Sequence, residues 1–102
     1  MTDFADYQRQ ALRTRNPALD AAGRLLDPAC GLAEEAGETL ALVRRHVLVG
    51  KPLDRERLAD ELGDVLWCLA ATADAAGLSL ESIAARNLAK LAARHPDGFS
   101  PT

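Results

Sequence analysis

The chain has 102 residues and a mass of 10.9 kDa, enough for one domain whose small core leaves apolar surface for a partner to cover. Hydrophobic residues make up 48% and aromatics only 4%, with Ala and Leu prominent, which favours packed helices over the β-branched, aromatic-rich strands of a sandwich or barrel. A net charge of -3 gives no basic face for duplex nucleic acid, no apolar run is long enough for a secretion signal or a membrane span, and Cys30 and Cys68 lack metal-ligand spacing. The expectation is a soluble cytoplasmic protein.

In chain order, Phe4, Tyr7, Ala11 and Leu12 recur at helical spacing after Thr2, and Asn16-Pro17 stops that first helix. Arg15 to Leu26 reads as a loop with at most one irregular turn, because its pattern is poor and includes Gly23. Asp27-Pro28 carries the chemistry of a helix start, a side-chain acceptor followed by a residue with no amide to waste, and predicts a second helix from there to about Val49. Gly50 suits its cap. Asp54 caps a third helix reaching about Ala76, and Ser79 caps a fourth that ends at Arg94 before His95-Pro96. Residues 96–102 form a tail without periodicity. The predicted fold is an all-α, single-domain four-helix bundle spanning 1–102 and completed by oligomerisation.

An internal echo joins the second and third helices: Leu32 to Leu40, LAEEAGETL, matches Leu58 to Leu66, LADELGDVL. With about 100° of rotation per residue, Leu32, Ala36, Leu40, Val43 and Val47 share one stripe, flanked by Glu35 and Glu38. Leu58, Leu62, Val65 and Leu69 form the matching stripe, flanked by Glu61 and Asp64. Acids three residues apart lie about 5–6 Å apart at Cβ, so four carboxylates from two packed helices could converge on one point. The paired Gly37 and Gly63, each costing about 1 kcal/mol relative to Ala inside a helix, predict close helix approach or room for a ligand.

A solvated acidic face is the alternative to a site. Four convergent acids would repel one another unless a cation joined them, and oxygen-only ligands point to Mg²⁺ or Mn²⁺. The Glu-x-x-His spacing of di-iron bundles is missing. Six of the fifteen acids sit in the echo, so the other nine face twelve bases and the rest of the chain is net positive. Lys51, Arg55, Arg57, Arg86, Lys90 and Arg94 could then surround a polyphosphate. From Val65 to Ala73 the third helix is nearly apolar all round, with Leu66 and Trp67 away from the Leu58, Leu62 and Leu69 stripe, so one small bundle cannot bury every side of it and a second chain is expected to.

These residues resemble the MazG-like nucleoside triphosphate pyrophosphohydrolases of the all-α NTP pyrophosphatase superfamily. Glu34-Glu35-Ala36-Gly37-Glu38 is similar to the family's Glu-Glu-x-x-Glu motif and Glu61-Leu62-Gly63-Asp64 to its Glu-x-x-Asp motif, with further likeness at Tyr7-Gln8, Asn87-Leu88-Ala89-Lys90 and Arg94 to Phe99. The resemblance implies that Glu35, Glu38, Glu61 and Asp64 bind Mg²⁺ and that Glu34 holds a further ion or helps activate water. It also implies that Asn87, Lys90 and Arg94 lie near the substrate phosphates, in a homodimer or tetramer that splits a nucleoside triphosphate into monophosphate and pyrophosphate. Cys68 stands where relatives often carry Tyr, and His95 where Tyr often precedes the terminal Pro. Trp67 and Cys68 are candidate nucleotide neighbours, with packing as the alternative role of each. A noncatalytic helical interaction module and a metal-storage bundle remain the competing functions.

Overall fold

The computed structural model describes residues 2–99 and 101. Among these are four α-helices and no strand: α1 (Phe4–Ala11), α2 (Ala21–Val47), α3 (Arg55–Ala75) and α4 (Leu80–Arg94), with a 3-10 turn at Leu12–Thr14. A side-chain oxygen caps every helix start, from Asp3, Asp20, Asp54 and Ser79, satisfying an amide that would otherwise be orphaned. α3 ends in a Schellman turn: Gly77 adopts φ +73°, its N–H donates to the Asp74 carbonyl at 2.9 Å, and the Leu78 N–H donates to the Ala73 carbonyl at 2.8 Å. Ser100 and Thr102 of the expected tail lie outside the described residues.

The second helix starts earlier than its sequence suggests. Asp20, not Asp27, is the cap, and its side chain accepts from the Gly23 N–H at 2.8 Å. Pro28 therefore lies inside α2, where it leaves the Arg24 carbonyl without the usual amide partner. Its ring is buried, which offsets part of that loss by removing apolar surface from water. The Asp27-Pro28 signal is genuine local chemistry, overridden by a second cap seven residues upstream and by tertiary burial.

The small core is a knot at one end of the molecule. Ala70 and Ala73 of α3 and Leu80 of α4 are buried together, with Tyr7 and Leu66 packed against them. Gln8 closes the knot: its Nε2 donates to the carbonyls of Ala70 at 3.1 Å and Leu78 at 3.2 Å, and its Oε1 accepts from the Leu80 N–H at 3.0 Å. Trp67 joins α3 to the end of α1, its indole N–H reaching the Ala11 carbonyl at 3.1 Å and the Thr14 hydroxyl at 2.9 Å. α1 thus covers part of the side of α3 that carries Leu66 and Trp67, both of which stay half-buried.

α2 and α3 form an antiparallel pair, the most extensive helix contact in the chain. The seam follows Gly31, Glu35 and Thr39 on α2 against Leu58, Glu61, Val65 and Cys68 on α3, all buried or half-buried. Of the two alternatives for Gly37 and Gly63, close helix approach is not met, since an added Cβ there would meet nothing within 4 Å and the space beside them is open, while the close approach falls at Gly31, where a Cβ would lie 3.0 Å from the Cys68 sulfur. The apolar stripes do not fill the seam either. Leu40, Val43 and Val47 of α2, with Leu62 and Leu69 of α3, remain exposed, Leu40 by 56% and Leu62 by 50%.

α4 contacts α1 and α3 near its start, and every residue from 85 to 94 is exposed. The four helices therefore do not close a bundle within one chain. The Cα radius of gyration is 16.2 Å, against about 13 Å for a compact chain of this length.

Candidate metal centre

The duplicated echo brings its acids together where α2 meets α3. One carboxylate oxygen from each of Glu35, Glu38 and Glu61 falls within 4.8 Å of the other two. Glu35 and Glu38 come from α2 and Glu61 from α3, and the matched echo positions Glu35 and Glu61 meet because the antiparallel pair is centred near them. Glu35 and Glu61 are half-buried, whereas Glu38 is exposed. One oxygen of each buried-edge acid, Glu35 Oε2 and Glu61 Oε2, is shielded from solvent and has no hydrogen-bond partner. A third such atom, Thr72 Oγ1, lies about three turns further along α3.

Mutual proximity disturbs these acids. The Glu38 carboxyl is raised above its ordinary value first by the adjacent Glu61 carboxyl, while the neighbouring Glu35 and the charge of Arg57 act in the opposite direction. Glu61 is raised chiefly by the adjacent Glu35 carboxyl, with further contributions from partial burial and from the charge of Asp64, against the lowering effect of Glu38. Like-charged groups this close cannot all ionise without a cation or a proton between them.

The donor set fits a hard divalent ion. Two oxygens on opposite sides of Mg²⁺ stand about 4.2 Å apart and a larger ion spreads them further, so the 4.8 Å limit needs only a small inward movement for the smaller ion. The orphaned oxygens of Glu35 and Glu61 are the observation that favours a cation over a merely solvated cluster, since water does not reach them.

The remaining residues of the predicted site are arranged around this trio. Asp64 is exposed and outside the tight cluster, although its charge acts on Glu61, Tyr7 and Cys68. Glu34 is exposed on the flank of α2. Cys68 is buried, and its thiol is pushed up by burial first and then by the charges of Glu35 and Asp64, so it stays protonated and is a poor nucleophile. Trp67 is turned towards α1, as described above. Asn87, Lys90 and Arg94 are exposed on the projecting part of α4, and no hydrogen bond or ion pair joins them to the acids among the described residues.

Two neighbours escaped the sequence reading. Tyr7, half-buried on α1, comes close enough to Asp64 and Cys68 for their charges to raise its hydroxyl pKa, after the larger effect of burial. Nothing in the local pattern of α1 signals this, since a contact across some sixty residues is set by how α1 docks. Arg45 lies two turns from Glu38 on the same side of α2 and has no counterpart in the echo, where Ala71 stands in its place.

The family model of the MazG nucleotide pyrophosphohydrolase domain matches residues 28–99. The chain belongs to this family. The MazG match takes in both acidic motifs and leaves α1 and the start of α2 outside. Comparison with curated proteins and with solved structures found no match. As a MazG-family domain the chain is a nucleotide pyrophosphohydrolase, a hydrolase, and no helix among its described residues is long and apolar enough to cross a membrane.

Proposed function

We propose that this single domain is a Mg²⁺-dependent nucleoside triphosphate pyrophosphohydrolase that cleaves between the α- and β-phosphates, releasing a monophosphate and pyrophosphate in nucleotide-pool house-cleaning. The observation that carries the reading is the trio Glu35, Glu38 and Glu61, with two of its oxygens shielded and unpartnered, in a chain of the MazG family. Glu35, Glu38, Glu61 and Asp64 are assigned to hold Mg²⁺, with Mn²⁺ as a substitute. The bound ion supplies phosphate charge neutralisation and a more acidic water.

The chain's own groups do the rest. Glu34, exposed beside the trio, accepts the proton of the attacking water at its carboxylate. Asn87, Lys90 and Arg94 hold substrate phosphates. Because α4 projects away from the acids, this assignment requires a neighbouring chain to bring its α4 to the site, and the exposed stripes of α2 and α3 supply the surface for a homodimer or a tetramer built from dimers. Cys68 and Trp67 are assigned to packing beside the site, Cys68 in the seam and Trp67 against α1. Cys30 and Cys68 are both free thiols, which suits a cytoplasmic setting.

The test is pyrophosphate release from a panel of canonical, deoxy, oxidised and methylated nucleoside triphosphates. Expected are monophosphate and pyrophosphate with Mg²⁺ or Mn²⁺ and poor support by Ca²⁺; orthophosphate alone, or no turnover with either ion, overturns the reading. Light scattering is expected to give a dimer or tetramer at micromolar concentration, and a stable monomer removes the shared site.

A further inference from the structure

Each end of the chain leaves one apolar feature uncovered. Phe99 is 89% exposed, more than any other large hydrophobic among the described residues, yet its ring is held in place. The Gly98 N–H donates to the His95 carbonyl at 3.1 Å, closing a turn with Pro at its second position and Gly at its fourth, where such turns favour them. Gly98 takes φ +94°, a conformation open to a residue without a Cβ, and Phe99 comes back to stack on His95, with ring centroids 6.4 Å apart and planes 15° from parallel. A ring fixed in this way loses little further freedom when it docks.

The second feature is a hollow of about 320 Å³ between α1 and α3, lined by Thr2, Asp3, Phe4, Tyr7 and Leu66. Three of these side chains are large and apolar or aromatic. An apolar cavity of about 150 Å³ already takes a benzene ring, so a phenyl group fits. Phe99 cannot fill the hollow of its own chain. Tyr7 and Leu66 pack on the knot that holds Leu80, at the start of α4, and the 15 residues of that helix span about 22 Å. Residues 95–99 follow its far end and, even fully extended, would cover about 18 Å.

Charge and the remaining apolar surface favour a second copy of this chain as the occupant. Beyond residue 84, α4 and the tail carry Arg86, Lys90 and Arg94 against Asp97, while Asp3 lines the hollow and Asp6 follows one turn later on α1. The α4 stripe that begins at buried Leu80 continues to Leu88 and Leu91, both exposed. Two copies related by a twofold axis, with these stripes facing in opposite directions, bring each tail to the other's hollow. We propose that Phe99 of one copy seats between Phe4, Tyr7 and Leu66 of a second copy, reciprocally in a twofold dimer. The assignment rests on the homo-oligomer proposed above and names its contact. It also carries a partner residue to the edge of the metal centre, because Tyr7 lies within reach of the charges of Asp64 and Cys68.

The test is sedimentation equilibrium of the full chain over a dilution series, wild type against Phe99→Ala. Phe99 is almost fully exposed within its own chain, so the substitution leaves the fold intact, as circular dichroism checks. Burial of one phenyl ring accounts for about tenfold in affinity or more, so a reciprocal pair predicts a dimer about a hundredfold weaker in the variant. Phe4→Ala and the Phe4→Ala/Phe99→Ala double variant complete a cycle: the two losses should sum to more than the loss in the double variant, since each removes the same contact. A dimer that Phe99→Ala leaves unchanged, or losses that add in full, overturns the contact while keeping the oligomer. A wild type that stays monomeric throughout removes the contact and the shared site together. Pyrophosphate release, measured separately, decides the hydrolase reading whichever way the association falls.

Discussion

The knot around Gln8 and the seam around Glu35 and Glu61 bury polar side chains in opposite ways. In the knot, both ends of the Gln8 amide are used, its two N–H groups by carbonyls and its oxygen by a backbone amide, at 3.0–3.2 Å. In the seam, Glu35 and Glu61 each keep a shielded oxygen with no partner, and like charges face one another. A satisfied polar group inside a fold specifies structure, whereas an unsatisfied pair of acids costs stability until something else joins them. The first region completes itself within the chain, and the second leaves two carboxylate oxygens without a partner.

The contrast breaks most visibly at Glu61. Glu61→Gln keeps the shape but removes a ligand charge, so metal-dependent hydrolysis should fall by about a hundredfold or more, because misplacing water and phosphate by even an ångström costs on that order. Steady-state pyrophosphate release measures it, and unchanged turnover would detach the trio from catalysis.

Gln8→Ala attacks the other region. It leaves the Ala70 and Leu78 carbonyls and the Leu80 amide without their partner, and the expected loss is about 3 kcal/mol of stability. Urea denaturation reads this directly. A loss below about 0.5 kcal/mol would show that water replaces the amide and that the knot is not closed by Gln8.

The seam should also respond to pH and metal in a way that the knot does not. Glu38 and Glu61 hold protons more tightly in the folded chain than their ordinary 4.5, so the folded state binds more protons than the unfolded one between that value and the raised folded values. Stability of the chelated protein should therefore fall as pH rises through this window and level off above it. In Glu61→Gln the fall should be shallower, and at neutral pH in chelator the variant should melt above wild type. Titrating Mg²⁺ should narrow or reverse that order, since a ligand stabilises the state that binds it. Identical melting responses of the two proteins would return these acids to a solvated face.

The smallest effect sharpens the same contrast from outside. A Cβ at Gly37 or Gly63 meets nothing within 4 Å, so Gly37→Ala and Gly63→Ala should each stabilise the helices by up to about 1 kcal/mol. Thermal melts of both variants test it, and destabilisation instead would show a neighbouring chain lying against these positions.

Gly37 and Gly31 show how far the sequence could be read. The echo marked Gly37 and Gly63 as special because they are duplicated, yet the tight contact falls on Gly31, which has Arg57 as its counterpart. Duplication records what two helices share, while close packing depends on which residue of one meets which residue of the other. The start of α2 went wrong for a related reason: Asp27-Pro28 and Asp20 are both good local signals, and only the buried environment of Pro28 decides between them.

By itself the sequence determined the helical class, three of the four helix starts and the acids worth watching, because caps, periodicity and spacing act within a few residues. Tertiary structure alone decided that Glu35 and Glu61 lie in the seam beside Leu58 and Val65 while Leu40 and Leu62 stay exposed, that Trp67 turns to α1, and that Asn87, Lys90 and Arg94 are exposed. A helical stripe tells which residues point the same way, not what they point at. That choice is made by the rotation of each helix about its own axis when it packs, an interaction between residues far apart in the chain.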